Sequence, residues 1–294
     1  LAVADVVLAI GANVFNSFLY VDTPFLAPAT KLIHLDSSYQ EVEKIYATEV
    51  GILADPGEGA AELTDALCQD MSASANEAAA TRTAKCADER RRSDERYQER
   101  LKGLMGRRPM AVEEMMRELA QASPPDVIIA DEAITSRPAL NRAFSFGEPG
   151  SFYGIQGGSL GWAMPGALGV KLANPDKPVL AVVGDGASLY TIQALWTAAR
   201  YNIPVVYAIC NNQAYRILKV NMDIYLQRML EDKERSSDYV GMNFENPLNI
   251  SAIAQGMGVS GEKIENPKEL GPAVRRAFES GKPALIDVSI DGSL

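Results

Sequence analysis

Short runs of apolar residues alternate with longer amphipathic stretches along most of the chain. The clearest runs are 179–183, 205–210 and 284–290, each rich in Val and Ile, and the run at 126–132 ends in two carboxylates. Short β-branched runs separated by helical stretches are typical of buried strands in a parallel sheet with helices on both faces. The pattern therefore predicts an α/β fold built on an open, mostly parallel sheet.

A change in composition divides the chain into three parts. Apolar runs occur within the first 70 residues, whereas 71–108 is rich in Ala, Ser, Glu and Arg and has few large apolar residues. Such a stretch is typical of a polar, partly helical linker between domains. We expect the C-terminal part of one α/β domain at 1–70, a helical linker at 71–108 and a complete α/β domain at 109–294. Since the first residues already predict a strand, we also expect the chain to begin inside a domain.

Composition and charge narrow the class of protein. Apolar residues make up 47% of the chain and charged residues 22%, which is the balance of a globular protein. The apolar runs are far shorter than the roughly 20 residues of a membrane-spanning helix. A net charge of −10 at pH 7 opposes binding to nucleic acid. The three cysteines are widely spaced and fit no disulfide framework or metal cluster. We expect a cytoplasmic protein that binds neither membranes nor nucleic acid.

Two polar side chains follow neighbouring predicted strands. Asp185 comes at the end of the strand predicted at 179–183, and Asn212 at the end of the strand predicted at 205–210. The carboxyl ends of parallel strands form one edge of the sheet, where ligands bind in open α/β folds. A carboxylate, an amide oxygen and a nearby backbone carbonyl suit Mg²⁺, which keeps its other positions for phosphate oxygens and water.

The residues around Asp185 suit an anion. Gly184 and Gly186 allow the backbone to approach a bound group closely. A helix predicted to start near Ala187 would direct its free N–H groups to the same place, and Ser188 would add a hydroxyl. The segment therefore predicts a diphosphate that is held through a metal ion.

The spacing of the two motifs carries a family resemblance. A Gly-Asp-Gly turn alone or an Asn-Asn pair alone is usually structural, but here 24 residues (187–210) with one helix and one strand separate them. This arrangement resembles the signature of thiamine-diphosphate-dependent enzymes. The sequence GGSLGWAMPGALGV at 157–170 is similar to the cofactor domain of the benzoylformate decarboxylase, pyruvate decarboxylase and acetolactate synthase superfamily. The segment 188–206 most resembles benzoylformate decarboxylases, and 4–15 with 51–55 resembles the later half of the superfamily's central domain.

The resemblance implies how the cofactor is held. Mg²⁺ would be bound by Asp185, Asn212 and the backbone carbonyl of Ala214. Further contacts to thiamine diphosphate would come from five residues around the two motifs: Gly184, Gly186, Ala187, Ser188 and Tyr215.

Two residues of the glycine-rich segment are expected to take part in catalysis. By resemblance, the carbonyl of Gly158 accepts a hydrogen bond from the cofactor's 4′-amino group. Leu160 would lie beneath the bent cofactor and press its two rings together, although simple core packing is the alternative for a lone leucine. The aromatic residues Trp162, Tyr190 and Trp196 have apolar neighbours in the sequence, and we expect them in the core.

The substrate pocket is less well defined. Positions that line it in similar enzymes correspond to Ile134, Arg137, Ile217 and Asn221. Arg137 offers a bidentate partner for a substrate carboxylate, but a surface arginine is an equal alternative. Phe18 and Leu218 stand where related decarboxylases carry side chains that assist proton transfer. This departure favours joining of the reaction intermediate to a second carbonyl over its protonation.

The resemblance implies an enzyme that cleaves or forms a carbon–carbon bond next to the carbonyl of a 2-oxo acid, as a decarboxylase or carboligase. It would need thiamine diphosphate, Mg²⁺ and a pyrimidine-binding domain whose glutamate comes from another subunit of a homodimer or homotetramer. We expect the full-length parent to be active and this fragment alone to be inactive. The alternative is a non-catalytic fragment that binds the cofactor. A dinucleotide-binding protein is disfavoured because no G-x-G-x-x-G turn follows the strand predicted at 126–132.

Overall fold

The computed structural model of the chain describes residues 4–14, 23–155, 157–231 and 238–294. The chain divides into two compact units, Leu1–Arg92 and Ser93–Leu294, and each contains its own parallel sheet. Within the described ranges, no helix is both long enough and apolar enough to cross a bilayer.

The first unit contains a three-stranded parallel sheet in the order β1-β2-β3. The central strand is the most buried, with Leu32, His34 and Leu35 almost inaccessible to solvent. The elements are β1 (Val6–Ile10), β2 (Lys31–Asp36), β3 (Val50–Leu53), α1 (Pro56–Asp70) and α2 (Ala73–Leu104), the last of which extends into the second unit.

Helix α2 covers most of the segment in which the sequence predicts a linker. Of its 32 residues only Leu101 is buried, so packing contributes little to its stability. Local ion pairs support it instead. Asp88 accepts from Arg91 at 2.5 Å and from Arg92 at 2.8 Å, which are the three- and four-residue spacings that bring side chains together on a helix.

The second unit is a six-stranded sheet in the order β5-β4-β6-β7-β9-β8, and every pair of neighbouring strands is parallel. This confirms the predicted fold class. Its elements are α3 (Val112–Ala122), β4 (Ile128–Glu132), α4 (Arg137–Ala143), β5 (Phe152–Gly154), α5 (Ala163–Ala173), β6 (Val179–Gly184), α6 (Asp185–Ser188), α7 (Ala194–Tyr201), β7 (Val205–Asn211), α8 (Arg216–Ile224), a π-helical turn (Tyr225–Met229), α9 (Ile250–Gly256), β8 (Ser260–Ile264), α10 (Pro267–Glu279) and β9 (Ala284–Ser289).

Helices cover both faces of this sheet. In the central strand β6, Leu180 and Val182 belong to one apolar cluster, together with Leu119 of α3. Val179, Ala181 and Val183 belong to the cluster on the opposite face, which α5, α7 and α9 complete. Successive side chains of a strand point to opposite faces. A strand that is covered on both faces must therefore be apolar throughout, as the sequence pattern indicated.

The expectation that the three aromatic residues lie in the core is wrong for two of them. Trp162 packs against the core, but Tyr190 is 58% exposed and Trp196 is 56% exposed. In α7 the neighbouring Leu195 is fully buried. Successive residues of a helix point about 100° apart, so Trp196 lies outside the buried stripe. The Arg200 guanidinium lies over its ring, 5.6 Å from the centroid.

Candidate functional site

An open cleft with about 500 Å³ of empty space lies at the carboxyl ends of β4, β6 and β7. The cleft is lined by residues 132–136, Leu160, residues 184–187, Cys210, Asn212 and residues 214–217.

The structure brings the two polar motifs together in this cleft. Gly184 of β6 pairs with Cys210 of β7, so the segments after both strands leave the sheet side by side. One carboxylate oxygen of Asp185, Oδ2, accepts a hydrogen bond from the backbone N–H of Gln213 at 2.7 Å. Asp185 therefore lies against the peptide that follows Asn212, and both residues line the cleft.

Asp185 is a buried carboxylate, with only 3% of its surface exposed. Burial raises its pKa to about 6, although backbone N–H groups, with Gly186 and Gln213 first, oppose the rise. A buried anion is costly unless positive charge accompanies it. The Asp185 carboxylate is therefore a favourable place for a cation.

The turn that carries Asn212 is held from inside the protein. Gln213 has a left-handed backbone (φ 56°), and its side chain donates to Asn211 Oδ1 at 2.5 Å and accepts from the Leu248 N–H at 2.9 Å. Asn211 in turn donates to the buried Asp287 at 2.7 Å. Sequence reasoning identified Asn212 but missed the supporting roles of Asn211, Gln213 and Asp287, because the contacts with Leu248 and Asp287 join residues that are distant in the sequence.

The segment after Asp185 differs from the expected helix. The prediction of one helix from near Ala187 is wrong, because the four-residue α6 ends at Ser188 and α7 begins only at Ala194. Ser188 is fully buried and its hydroxyl donates to the Asp185 carbonyl at 2.7 Å, and it does not line the cleft. A Cβ on Gly186 would lie 2.6 Å from the ring of Tyr215, so only glycine fits there.

The glycine-rich segment reaches the cleft through one of its two expected residues. Leu160 lines the cleft and is 38% exposed, so the alternative of core packing does not hold for it. Gly158 is exposed, has a φ of 76° and lies outside the lining.

Sequence reasoning missed several residues at and just after the end of β4. Glu132, Thr135 and Ser136 all line the cleft. Glu132 is fully buried, and burial raises its pKa while the N–H groups of Ala163, Gly161 and Trp162 lower it. A signal existed in the sequence, since the two acids Asp131 and Glu132 end an apolar run. Acids at that position are expected at the carboxyl edge of the sheet.

The expected substrate residues separate into two groups. Ile134 and Ile217 line the cleft, whereas Arg137 and Asn221 do not. The Arg137 guanidinium forms an ion pair with the fully buried Asp131. It compensates an internal charge, which is the physical reason that it does not reach the cleft.

Two further positions bear on proton transfer. Phe18 lies outside the described residues. Leu218 is 46% exposed and does not line the cleft.

Burial raises the pKa of Cys210 to about 12, so this cleft thiol stays protonated at neutral pH.

The fold and the cleft match one family. Residues 135–288, which contain most of the cleft, match the family described as "Thiamine pyrophosphate enzyme, C-terminal TPP binding domain". The chain therefore belongs to this family of thiamine pyrophosphate enzymes.

Individual relatives agree with this assignment. The chain is 29% identical over 97% of its length to benzoylformate decarboxylase from Pseudomonas aeruginosa, covering 48% of that protein. It is 26% identical over 97% of its length to the acetolactate synthase large subunit of Corynebacterium glutamicum, covering 44% of it. The chain thus spans about half the length of the curated relatives it matches.

A solved structure supports the fold. The thiamine diphosphate-dependent 4-hydroxybenzoylformate decarboxylase of Rhodococcus jostii RHA1 superposes with a TM-score of 0.76 and 24% sequence identity. The superposition covers 98% of this chain and 49% of that chain.

The left-handed conformation of Gln213 predicts an unusual order of variants. Gln213→Ala should lower the free energy of unfolding by about 1–3 kcal/mol, because buried partners lose their hydrogen bonds. Gln213→Gly loses the same bonds but relieves the left-handed backbone, so it should be more stable than the alanine variant by about 1 kcal/mol. Urea unfolding of both variants measures the difference.

Gln255 provides the matched control. It lies in the ordinary helix α9 and donates to the Gly261 carbonyl at 2.8 Å. There the order should be reversed, with alanine more stable than glycine by about 1 kcal/mol. The same order at both positions would contradict the role of the left-handed turn.

Proposed function

We propose that this chain binds thiamine diphosphate through Mg²⁺ and supplies the diphosphate-binding part of an active site that cleaves or forms a carbon–carbon bond next to the carbonyl of a 2-oxo acid. The observation that carries the proposal is the position of Asp185. Its buried carboxylate lies against the Asn212–Gln213 peptide at the edge of the sheet, within the cleft.

The donor set fits Mg²⁺. Asp185 offers a carboxylate, Asn212 an amide oxygen and Ala214 a backbone carbonyl, and all three residues line one cleft. In the part of the chain that the structure describes, no three His, Cys, Asp or Glu side chains form a metal-binding group. Mg²⁺ commonly takes one or two protein carboxylates and completes its octahedron with phosphate oxygens and water. A single buried carboxylate therefore suits a metal that also binds a diphosphate.

The rest of the cleft suits the cofactor and an apolar substrate group. Gly184, Gly186, Ala187 and Tyr215 surround the proposed diphosphate position. When bound, thiamine diphosphate supplies the electron sink that this chemistry requires. The protein's part is to bind and orient it.

The ring system and the substrate occupy the remaining cleft in this proposal. By the family resemblance, Leu160 would support the rings and the carbonyl of Gly158 would accept a hydrogen bond from the 4′-amino group. Ile134 and Ile217 offer an apolar wall to the group next to the substrate's carbonyl. Arg137 has no part, because its guanidinium pairs with the buried Asp131, and Asn221 is left out of the proposal.

The reaction intermediate can be protonated or joined to a second carbonyl, and we favour the second outcome, carboligation. The named relatives include both a benzoylformate decarboxylase and an acetolactate synthase. By the family resemblance, Phe18 and Leu218 stand where similar decarboxylases carry side chains that assist proton transfer, and neither Phe nor Leu can donate a proton. The proposal also includes a glutamate-bearing pyrimidine domain from a second subunit, and hence a homodimer or homotetramer. The alternative is a chain that binds the cofactor without catalysis.

Calorimetric titration of thiamine diphosphate into the chain tests the binding site. Binding should require Mg²⁺, and Asp185→Asn or Asn212→Ala should weaken it by at least about tenfold, as expected for the loss of a metal ligand. Asp126→Asn is the control, because this surface carboxylate pairs with Lys177. Binding that is independent of Mg²⁺, or unchanged in both site variants, would overturn the proposal.

A panel of 2-oxo acids, with detection of CO₂, tests catalysis. The chain should consume at least one of them when a separately produced pyrimidine domain from a full-length relative is added. The expected product is a hydroxyketone. Aldehyde alone would exclude carboligation. Cofactor binding without consumption of any 2-oxo acid would favour the non-catalytic alternative.

The pKa of Asp185 predicts a pH dependence of binding. Since burial raises this pKa to about 6, protons compete with Mg²⁺ for the carboxylate below that pH and not above it. The Mg²⁺-dependent affinity should therefore fall about tenfold per pH unit well below pH 6. Protonation of the ligand's own phosphate affects all variants, so the ratio between wild type and Asp185→Asn is the quantity to follow. A constant ratio from pH 7.5 to pH 5 would contradict the prediction.

A further inference from the structure

The glycine-rich loop at 157–161 is held at its last residue. Gly157, Gly158 and Gly161 have φ values of 70°, 76° and 93°, and residues 157–160 are exposed. Three left-handed glycines have large conformational freedom in the absence of outside contacts. Gly161, by contrast, is buried, directly before α5. The contacts of Gly161 therefore determine where the loop lies.

Two side chains from other elements bind Gly161. Its N–H donates to one carboxylate oxygen of Glu132, and the N–H of Ala163 donates to the other oxygen at 2.8 Å. The hydroxyl of Thr191, between α6 and α7, donates to the Gly161 carbonyl at 2.6 Å. A Cβ on Gly161 would lie only 2.8 Å from the Cβ of Tyr190. The loop is thus tied both to β4 and to the segment after Asp185.

Glu132 is a firm support for this loop. It is the last residue of β4, pairs with Val183 of β6 and has no exposed surface. Hydrogen bonds from N–H groups to a carboxylate are about twice as strong as those between neutral groups. A buried carboxylate is nevertheless costly, and apolar residues often replace buried charges without loss of stability. Stability alone therefore does not account for a glutamate here.

We propose that Glu132 is a positioning residue that holds the loop at 157–161 so that Leu160 and Gly158 meet the ring half of thiamine diphosphate. The inference rests on the proposed function and adds that different residues of the cleft hold the two halves of the cofactor. Asp185, Asn212 and Ala214 bind the diphosphate half through the metal. In this proposal Glu132 is a ligand of neither the metal nor the diphosphate, and its effect on the cofactor passes through the loop.

Two ligands, thiamine diphosphate and inorganic diphosphate, distinguish binding of the ring half from binding of the diphosphate half. Each is titrated into the full chain with Mg²⁺. Glu132→Gln keeps the shape of the side chain but removes its charge and turns an N–H donor toward the loop's N–H groups. The affinity for thiamine diphosphate should fall about tenfold, the usual effect of losing a supporting hydrogen bond. The affinity for inorganic diphosphate should change by less than about twofold, because that ligand does not reach the loop.

Glu114→Gln is the matched control. Glu114 is also buried, and it also accepts a backbone N–H, from Gly106 at 2.9 Å, but it does not line the cleft. This variant should leave both affinities unchanged. Amide hydrogen exchange gives a readout without any ligand. The Gly161 and Ala163 amides should exchange faster in Glu132→Gln and not in Glu114→Gln.

Thr191→Val provides a second variant of the same loop without a change in charge. It removes the hydroxyl bond to the Gly161 carbonyl and should show the same selective loss for thiamine diphosphate. If Glu132→Gln does not fold, this variant alone decides: a selective loss supports the proposal and unchanged affinities overturn it.

The outcomes distinguish the inference from the proposed function. An equal loss for both ligands, or no loss for either, overturns the positioning role while the proposed function stands. If the wild-type chain binds neither ligand in the presence of Mg²⁺ and of an added pyrimidine domain, the proposed function fails, and the positioning role fails with it.

Discussion

The burial of a carboxylate at the carboxyl edge of the sheet is the constraint on which the site depends. Asp185 has a pKa raised from 3.8 to about 6, which corresponds to about 3 kcal/mol of unfavourable free energy for its charged form. This cost is what remains after backbone N–H groups have stabilised the carboxylate, and a cation would relieve it. The surrounding structure, with a tight glycine at 186 and a left-handed turn at 213, keeps that carboxylate beside Asn212.

The same interaction, a buried carboxylate that accepts hydrogen bonds from a neighbouring segment, occurs three times along this edge. Glu132 at the end of β4 accepts from the N–H groups at the start of α5, and Asp185 after β6 accepts from Gln213 after β7. Asp287 in β9 accepts from Asn211 and from the first N–H groups of α9. Glu132 holds the segment between β5 and α5, whereas Asp185 and Asp287 hold two parts of the segment between β7 and β8. The edge is therefore bound together by charge-assisted hydrogen bonds in a place where the loops contribute few apolar contacts.

In the six-stranded sheet, the strands that could be predicted are those buried on both faces. β6, β7 and β9 lie inside the sheet and are continuous apolar runs, so composition alone indicated them. The edge strands β5 (Phe-Tyr-Gly) and β8 (Ser-Gly-Glu-Lys-Ile) were missed. An edge strand has one neighbour and partial exposure, and β8 carries the polar residues that this permits. A similar reason explains why Trp196 is not in the core as expected: its apolar neighbours in the sequence lie on the other side of its helix.

The sequence by itself determined the class of fold and the family, because strand burial and the spacing from Asp185 to Asn212 are properties of segments near each other in the chain. The tertiary structure alone decided which side chains line the cleft. It paired Arg137 with Asp131, divided the expected helix after Asp185 into α6 and α7, and placed Glu132 under the loop at 157–161. These outcomes depend on contacts between residues that are distant in sequence or on local packing, and neither local propensity nor spacing contains that information.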